Sequence, residues 1–146
     1  MEISELTTTD ENILHDLNRL LCQLSEDIQP LTPDKLQMIV NANHIHLFLA
    51  KDNEQVIGTL TLIENTLLSG NKAWIEDVVV DTNRRGENLG RKLVDYAIGF
   101  AKSLNIEKVD LTSRPTRTAA NELYKKAGFE LRDTNVYRYD PTKHAQ

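Results

Sequence analysis

Apolar residues recur at two different periods along this chain, and the switches between them predict its elements. Ile3 to Leu6 reads as a short first strand. Ile13, Leu14, Leu17, Leu20, Leu21 and Leu24 then follow at helical spacing behind Asp10, a good N-cap residue. Glu26-Asp27 and Pro30 end that helix. Thr32-Pro33-Asp34 opens a second one with a capping hydroxyl, a proline in the first turn and an acid facing the helix dipole. Leu36, Ile39 and Val40 carry it to Asn41-Ala42-Asn43. Ile45, Leu47 and Leu49 alternate with His44, His46 and Phe48, the period of a strand. A turn at Asp52-Asn53-Glu54 returns the chain along Val56 to Ile63, and Leu67 to Asn71 turns it again into Ala73 to Asp81.

Helical spacing resumes at Leu89, Leu93, Val94 and Ala97, and Asn105 suits a left-handed C-cap. Val109 and Leu111 make a strand ending at Thr112-Ser113-Arg114-Pro115, and Thr116 to Ala127 a helix closed by Gly128. Strand, helix, strand in that order implies a parallel pair with a right-handed crossover. Phe129 to Leu131, a turn at Asp133-Thr134-Asn135 and Val136 to Tyr139 complete an antiparallel ribbon, with Pro141 to Gln146 as a frayed tail. The predicted order is β-α-α-β-β-β-α-β-α-β-β. That is an α/β chain of the α+β type, with helices on both faces of a mixed sheet that is parallel only at its centre. The 146 residues suffice for one domain, 1–146, with a proper core.

Composition narrows the function. Hydrophobic content of 40% and charged content of 27% describe a soluble globular chain. A net charge of −5 opposes general nucleic-acid binding, which depends on neutralising many phosphates. The single cysteine, Cys22, excludes an intramolecular disulfide and fits a reducing compartment; its leucine-rich surroundings predict a buried structural thiol. Met1 to Glu5 lacks the apolar core of a signal peptide, and no apolar run reaches membrane-spanning length. A cytoplasmic location with no membrane partner follows as the expectation. His44 and His46 share a strand face, but without supporting ligands a metal is not expected.

The candidate chemistry gathers where Ala73 to Asp81 meets the turn Thr82 to Asn88 and the helix from Leu89. Arg84, Arg85, Arg91 and Lys92 surround one acid, Glu87, and the turn carries Gly86 and Gly90. Unpaired N–H groups and the positive end of a helix dipole suit a phosphate there; a solvated basic turn is the plainer alternative. The run Val78-Val79-Val80 does not alternate, as for a strand buried on both faces or locally bulged.

This order, with these stretches in these places, resembles the GNAT superfamily of acyl-CoA-dependent N-acyltransferases. The family's pyrophosphate signature (Arg or Gln, two residues, Gly, one residue, Gly or Ala) would run Arg85-Gly86-Glu87-Asn88-Leu89-Gly90. Asn88 replaces its first glycine, and Asn is the side chain most tolerant of left-handed backbone. Asn121-Glu122-Leu123-Tyr124-Lys125-Lys126-Ala127-Gly128-Phe129 is similar to a second family stretch.

The resemblance implies transfer of an acetyl group from acetyl-CoA to a primary amine of a small molecule or a protein, by direct attack through a tetrahedral intermediate. It implies that the central parallel strands splay apart. Backbone around Val78, Val79 and Val80 would hold the pantetheine arm and polarise the thioester. N–H groups from Arg85 to Gly90, with Arg91, would receive the pyrophosphate, and Lys92 or Arg84 an outlying phosphate. Asn121 would bond the pantetheine or diphosphate, and Tyr124 would protonate the departing thiolate. Glu76 is preferred as the base, through a water, with Asp77 anchoring a cationic acceptor, because carboxylates buried in a strand are costly without a use; either could instead cap a loop. The acceptor would sit between this strand, the loop from Glu26-Asp27 to Thr32, and the ribbon near Tyr137. A non-catalytic acyl-CoA-binding regulatory module is the alternative, and a Rossmann-type enzyme is disfavoured by the glycine spacing. A homodimer is compatible with the sequence.

Overall fold

A computed structural model describes residues 1–143 of the chain. The capping residues act where local chemistry places them. Asp10 accepts the Ile13 N–H and starts α1 (Glu11–Leu24), and Thr32 accepts the Lys35 N–H and starts α2 (Pro33–Asn41). Strand β1 (Glu2–Glu5) precedes them, and β2 (Ile45–Asp52), β3 (Gln55–Leu67) and β4 (Gly70–Val80) follow as an antiparallel meander. Helix α3 (Leu89–Ser103) crosses over to β5 (Lys108–Asp110), which pairs parallel with β4, and α4 (Thr118–Lys126) follows. Asn105 takes the left-handed conformation just past α3, and Gly128 does so past α4, where the Phe129 N–H reaches the Tyr124 carbonyl.

The sheet order is β1-β2-β3-β4-β5, with a core on each face. On one side Phe48, Leu60, Leu62 and Ile75 pack under Leu93, Val94 and Ala97 of α3 and Tyr124 of α4. On the other, Leu47, Leu49, Val56 and Val79 meet Ile13, Leu17 and Leu20 of α1 and Leu36 of α2. Alternation along β2 divides its side chains between the two.

Three expectations change. Residues 129–139 form no strand, so the terminal ribbon is absent from the sheet, and Leu131, Val136, Tyr137 and Tyr139 are exposed. Cys22 is exposed rather than buried. It lies two positions, roughly 200° around a 3.6-residue helix, from the fully buried Leu20. Of the tail expected to fray, Pro141 to Lys143 make a turn capped by Asp140, and 144–146 lie outside the described residues.

His46 binds the sheet's first three strands together. Its Nδ1 lies 2.6 Å from a Glu5 carboxylate oxygen and its Nε2 2.6 Å from one of Glu64, while its ring packs 4.7 Å from Phe100. Burial alone would lower the pKa, but the bonds to Glu64 and Glu5 outweigh it and hold the imidazolium above its usual value. A folded pKa above the unfolded one adds stability that is complete below pH ~6.5 and fades as pH rises through the folded value. His46→Gln should therefore cost about 1–2 kcal/mol in urea melts at pH 6, and the gap to wild type should narrow steadily at alkaline pH. A gap constant with pH would mean that the imidazolium charge contributes nothing.

Candidate functional site

The parallel pair is short. Lys72, Ala73 and Trp74 face Lys108, Val109 and Asp110, and pairing then stops while β4 continues to Val80. From Ile75 onward β4 has no strand partner on that side, because β5 ends at Asp110. A bulge falls at the same place. Between Thr59↔Val79 and Thr61↔Glu76, β4 carries one residue more than β3, and Asp77 takes a left-handed φ of 51°. Of the two readings of the Val78-Val79-Val80 run, a strand buried on both faces or a local bulge, the structure shows a bulge, at Asp77-Val78. It sends Val79 into the core under α1 while Val78 and Val80 pack with the α3 and α4 side chains. Glu76 and Asp77 are exposed, which corrects the reason for singling them out. They are carboxylates on the stretch of β4 that lacks a β5 partner and carry no burial cost.

The end of β4 is bolted to α1. Asp81, 4% exposed, forms an ion pair with Arg19, whose Nη2 also donates to the Val56 carbonyl at 2.9 Å. Asp16 accepts the Val56 N–H, and Gln23 accepts the Thr82 N–H. Burial pushes the Asp81 carboxyl up, but the Asn83 N–H and Arg19 outweigh it and hold the pKa below the usual range. Asn18 clamps the loop between α1 and α2 through both backbone groups of Leu31. None of these positioning residues was among the sequence candidates; the one local signal was a lone Arg19 beside the leucine stripe of α1.

After Asp81 comes a single 3₁₀ turn, Thr82–Arg84, and then the start of α3. Asn88 adopts the left-handed conformation (φ 64°) that its side chain tolerates, and that side chain makes no capping bond. The first N–H groups of α3 therefore face outward without a side-chain cap, unlike those of α1 and α2. The four cations divide. Arg84 is held by Glu87 at 2.6 Å and Asp52 at 2.8 Å, and Arg91 by Asp95 at 3.0 Å, whereas Arg85 and Lys92 have no ion pair among the described residues. Gly86 (φ 88°) faces open space, while a Cβ on Gly90 would come within 3.0 Å of Leu123. Gly90 thus serves the close approach of α3 to α4, and Leu89 beside it is buried in the core.

On α4, Tyr124 is buried in the cluster that includes Val78 and Val80 and meets Phe129 edge-to-face at 6.0 Å. Its hydroxyl has no hydrogen-bond partner among the described residues and still reaches the surface. Burial raises its pKa above the usual phenol value, against a smaller opposing effect of Arg117. The Asn121 amide donates to the Arg114 carbonyl at 2.9 Å and pins the β5–α4 loop. In that loop the Ser113 hydroxyl is buried without a partner.

Comparisons with known proteins agree with this geometry. The model of the acetyltransferase (GNAT) family matches residues 13–129. Over 71 residues the chain is 34% identical to glucosamine 6-phosphate N-acetyltransferase of Arabidopsis thaliana, covering 48% of this chain and 45% of that protein. The chain therefore spans about half the length of that relative. An aminoglycoside acetyltransferase from an uncultured soil metagenomic sample superposes with a TM-score of 0.84 at 22% identity, over 95% of this chain and 94% of that one. An acetyltransferase of Trypanosoma brucei gives a TM-score of 0.76 at 26% identity, over 95% and 98%.

The bolt at the end of β4 is testable apart from any activity. A folded pKa below the unfolded one adds stability that is present above the unfolded value and lost as pH falls through the folded one. Asp81→Asn should lower stability by about 2 kcal/mol or more at pH 7, and the difference should shrink as the pH drops below ~4. Denaturant melts at both pH values measure this, and an equal deficit at both would detach the effect from the Asp81 charge.

Proposed function

The chain is a member of the acetyltransferase (GNAT) family, and on that premise we propose that it transfers an acetyl group from acetyl-CoA to a primary amine of a small molecule or a protein. The observation that carries the proposal is that β4–β5 pairing ends at Trp74 and Asp110, leaving Ile75 to Val80 without a strand partner on that side ahead of an uncapped helix start. A slender thioester arm needs such an unpaired row, and a diphosphate needs such N–H groups. The residues present fit both. The N–H groups from Arg85 to Gly90 and the helix start at Arg91 receive the diphosphate, with Gly86 leaving room. Arg85 and Lys92 supply charge that Arg84 and Arg91 spend within the chain. The orphaned Ser113 hydroxyl, on the β5 side, suits a bond to the arm. Asn121 contributes by holding that loop.

Bound acetyl-CoA supplies the activated carbonyl; the chain's residues do the rest. Main-chain groups at Val78, Val79 and Val80, left without a strand partner on the β5 side, polarise the carbonyl oxygen as it gains negative charge. Glu76 draws a proton from the acceptor amine through a water, and Asp77 holds a cationic acceptor. Both are exposed where the bulge opens the strand. The amine nitrogen bonds to the carbonyl carbon, the C–S bond breaks, and the Tyr124 hydroxyl gives its proton to the sulfur. A phenol whose pKa is raised by burial remains protonated at neutral pH. Exposed Glu26 and Asp27, in the loop steadied by Asn18, add to an acidic acceptor side. A lone, exposed cysteine supports a reducing, cytoplasmic setting.

Thiol release from acetyl-CoA across a panel of amines tests the activity. Turnover with at least one amine is expected, and CoA binding without turnover on any would favour the regulatory module. Tyr124→Phe should lower kcat by about 100-fold or more with CoA affinity nearly unchanged; equal kcat would remove Tyr124 from the chemistry. Arg85→Ala with Lys92→Ala should weaken CoA binding and flatten its salt dependence, and an unaltered Kd would place the diphosphate elsewhere.

A further inference from the structure

The turn that would receive a diphosphate carries an acid of its own. Gly86 and Asn88 take left-handed φ angles of 88° and 64°, and Glu87 between them does not. Such a change of hand turns successive N–H groups to one side, the form of an anion-binding backbone concavity. A carboxylate at its centre opposes an incoming anion by like charge. Glu87 is exposed, so burial does not keep it neutral, and its bond to Arg84 holds its pKa below the usual carboxylate range. Arg84 grips it as a fork. Its Nε donates to one carboxylate oxygen at 2.6 Å and its Nη2 to the other at 2.9 Å. The third nitrogen, Nη1, lies 2.8 Å from a carboxylate oxygen of Asp52, at the turn from β2 to β3. The Arg84 N–H donates to the Asp81 carbonyl at 2.8 Å, so side chain and backbone tie this residue to two separate parts of the body.

We propose that Arg84 is a positioning residue for the diphosphate: it touches no phosphate, but compensates Glu87 and fastens the turn to the β2–β3 hairpin through Asp52. This role rests on the acetyl-CoA reading above. It moves Arg84 from an outlying phosphate, which the sequence alone allowed, to the acid inside the turn. All three guanidinium nitrogens are engaged, and swinging the fork toward a phosphate would release Glu87 beside that phosphate. A lysine could not stand in, because one ammonium lacks the planar fork that spans two carboxylates. Arg85, the next residue, has no ion pair among the described residues and is left to meet the ligand. Exposed pairs of this sort add little to stability. The consequence therefore lies in where the turn sits and what charge it shows.

Calorimetric titration of CoA into the full chain reads this as a double-mutant cycle. Arg84→Ala should weaken CoA binding about tenfold, because Glu87 is then uncompensated beside the diphosphate, yet less than about twofold in a Glu87→Gln background. Equal losses in both backgrounds place Arg84 on a phosphate and overturn the proposal, as does no loss in either. The melting midpoint should stay within about 3 °C of wild type in all three variants, and a CoA affinity that merely follows the midpoint overturns the positioning role. Amide hydrogen exchange without CoA reads the fastening. Asp52→Ala should speed exchange over residues 84–89 by about fivefold or more while α1 exchanges as in wild type; unchanged exchange over 84–89 overturns it. A wild-type chain that binds no CoA would remove the acetyl-CoA reading, whereas faster exchange in Asp52→Ala would still show the turn fastened.

Discussion

A strand inside a sheet must find partners for both rows of its backbone groups, and β4 does so only as far as Trp74 on its β5 side. Over Ile75 to Val80 one row has no strand partner. The rest of the site follows from this shortage. The bulge at Asp77 turns the strand so that Val79 still reaches the core while the outer row stays open. The Arg19–Asp81 pair holds the strand's far end, so a half-paired strand does not fray. Helix α3 then begins just beyond Asn88, with no side chain capping its first N–H groups.

Electrostatics at the turn is more economical than its composition implies. Four cations around one acid look like a strong anion trap, yet Asp52 and Asp95 come from outside the turn and neutralise two of them. Exposed pairs of this kind contribute little to stability. Their effect is to fix where Arg84 and Arg91 lie and to leave Arg85, Lys92 and the helix dipole as the uncommitted positive charge at this corner.

The two ends of the sheet are finished differently. At β1, His46 with Glu5 and Glu64 ties three strands by side chains, giving the early edge a charged, closed character. At β5 no such closure exists: the edge is three residues long and an amphipathic extended segment leaves from beside it. A very short edge strand is itself one way to keep a sheet edge from pairing further.

Most of the fold was legible in the sequence, because caps, periods and turn residues act over a few positions. Asp10 and Thr32 starting helices, Asn105 and Gly128 ending them, Asn88 in the left-handed region and the strand–turn–helix corner are all local decisions. The tertiary structure decided what depends on distant partners. Periodicity does not say that Arg84 meets Asp52, that Asn121 turns to Arg114, or that Arg19 of α1 closes on Asp81. Nor does it say that Cys22 faces out or that Glu76 and Asp77 are open to solvent. The last two strands show the difference most clearly. Alternation at Phe129 to Leu131 and Val136 to Tyr139 specifies strand-forming chains, but strands exist only where a neighbour supplies the other half of each ladder, and among the described residues neither stretch joins the sheet.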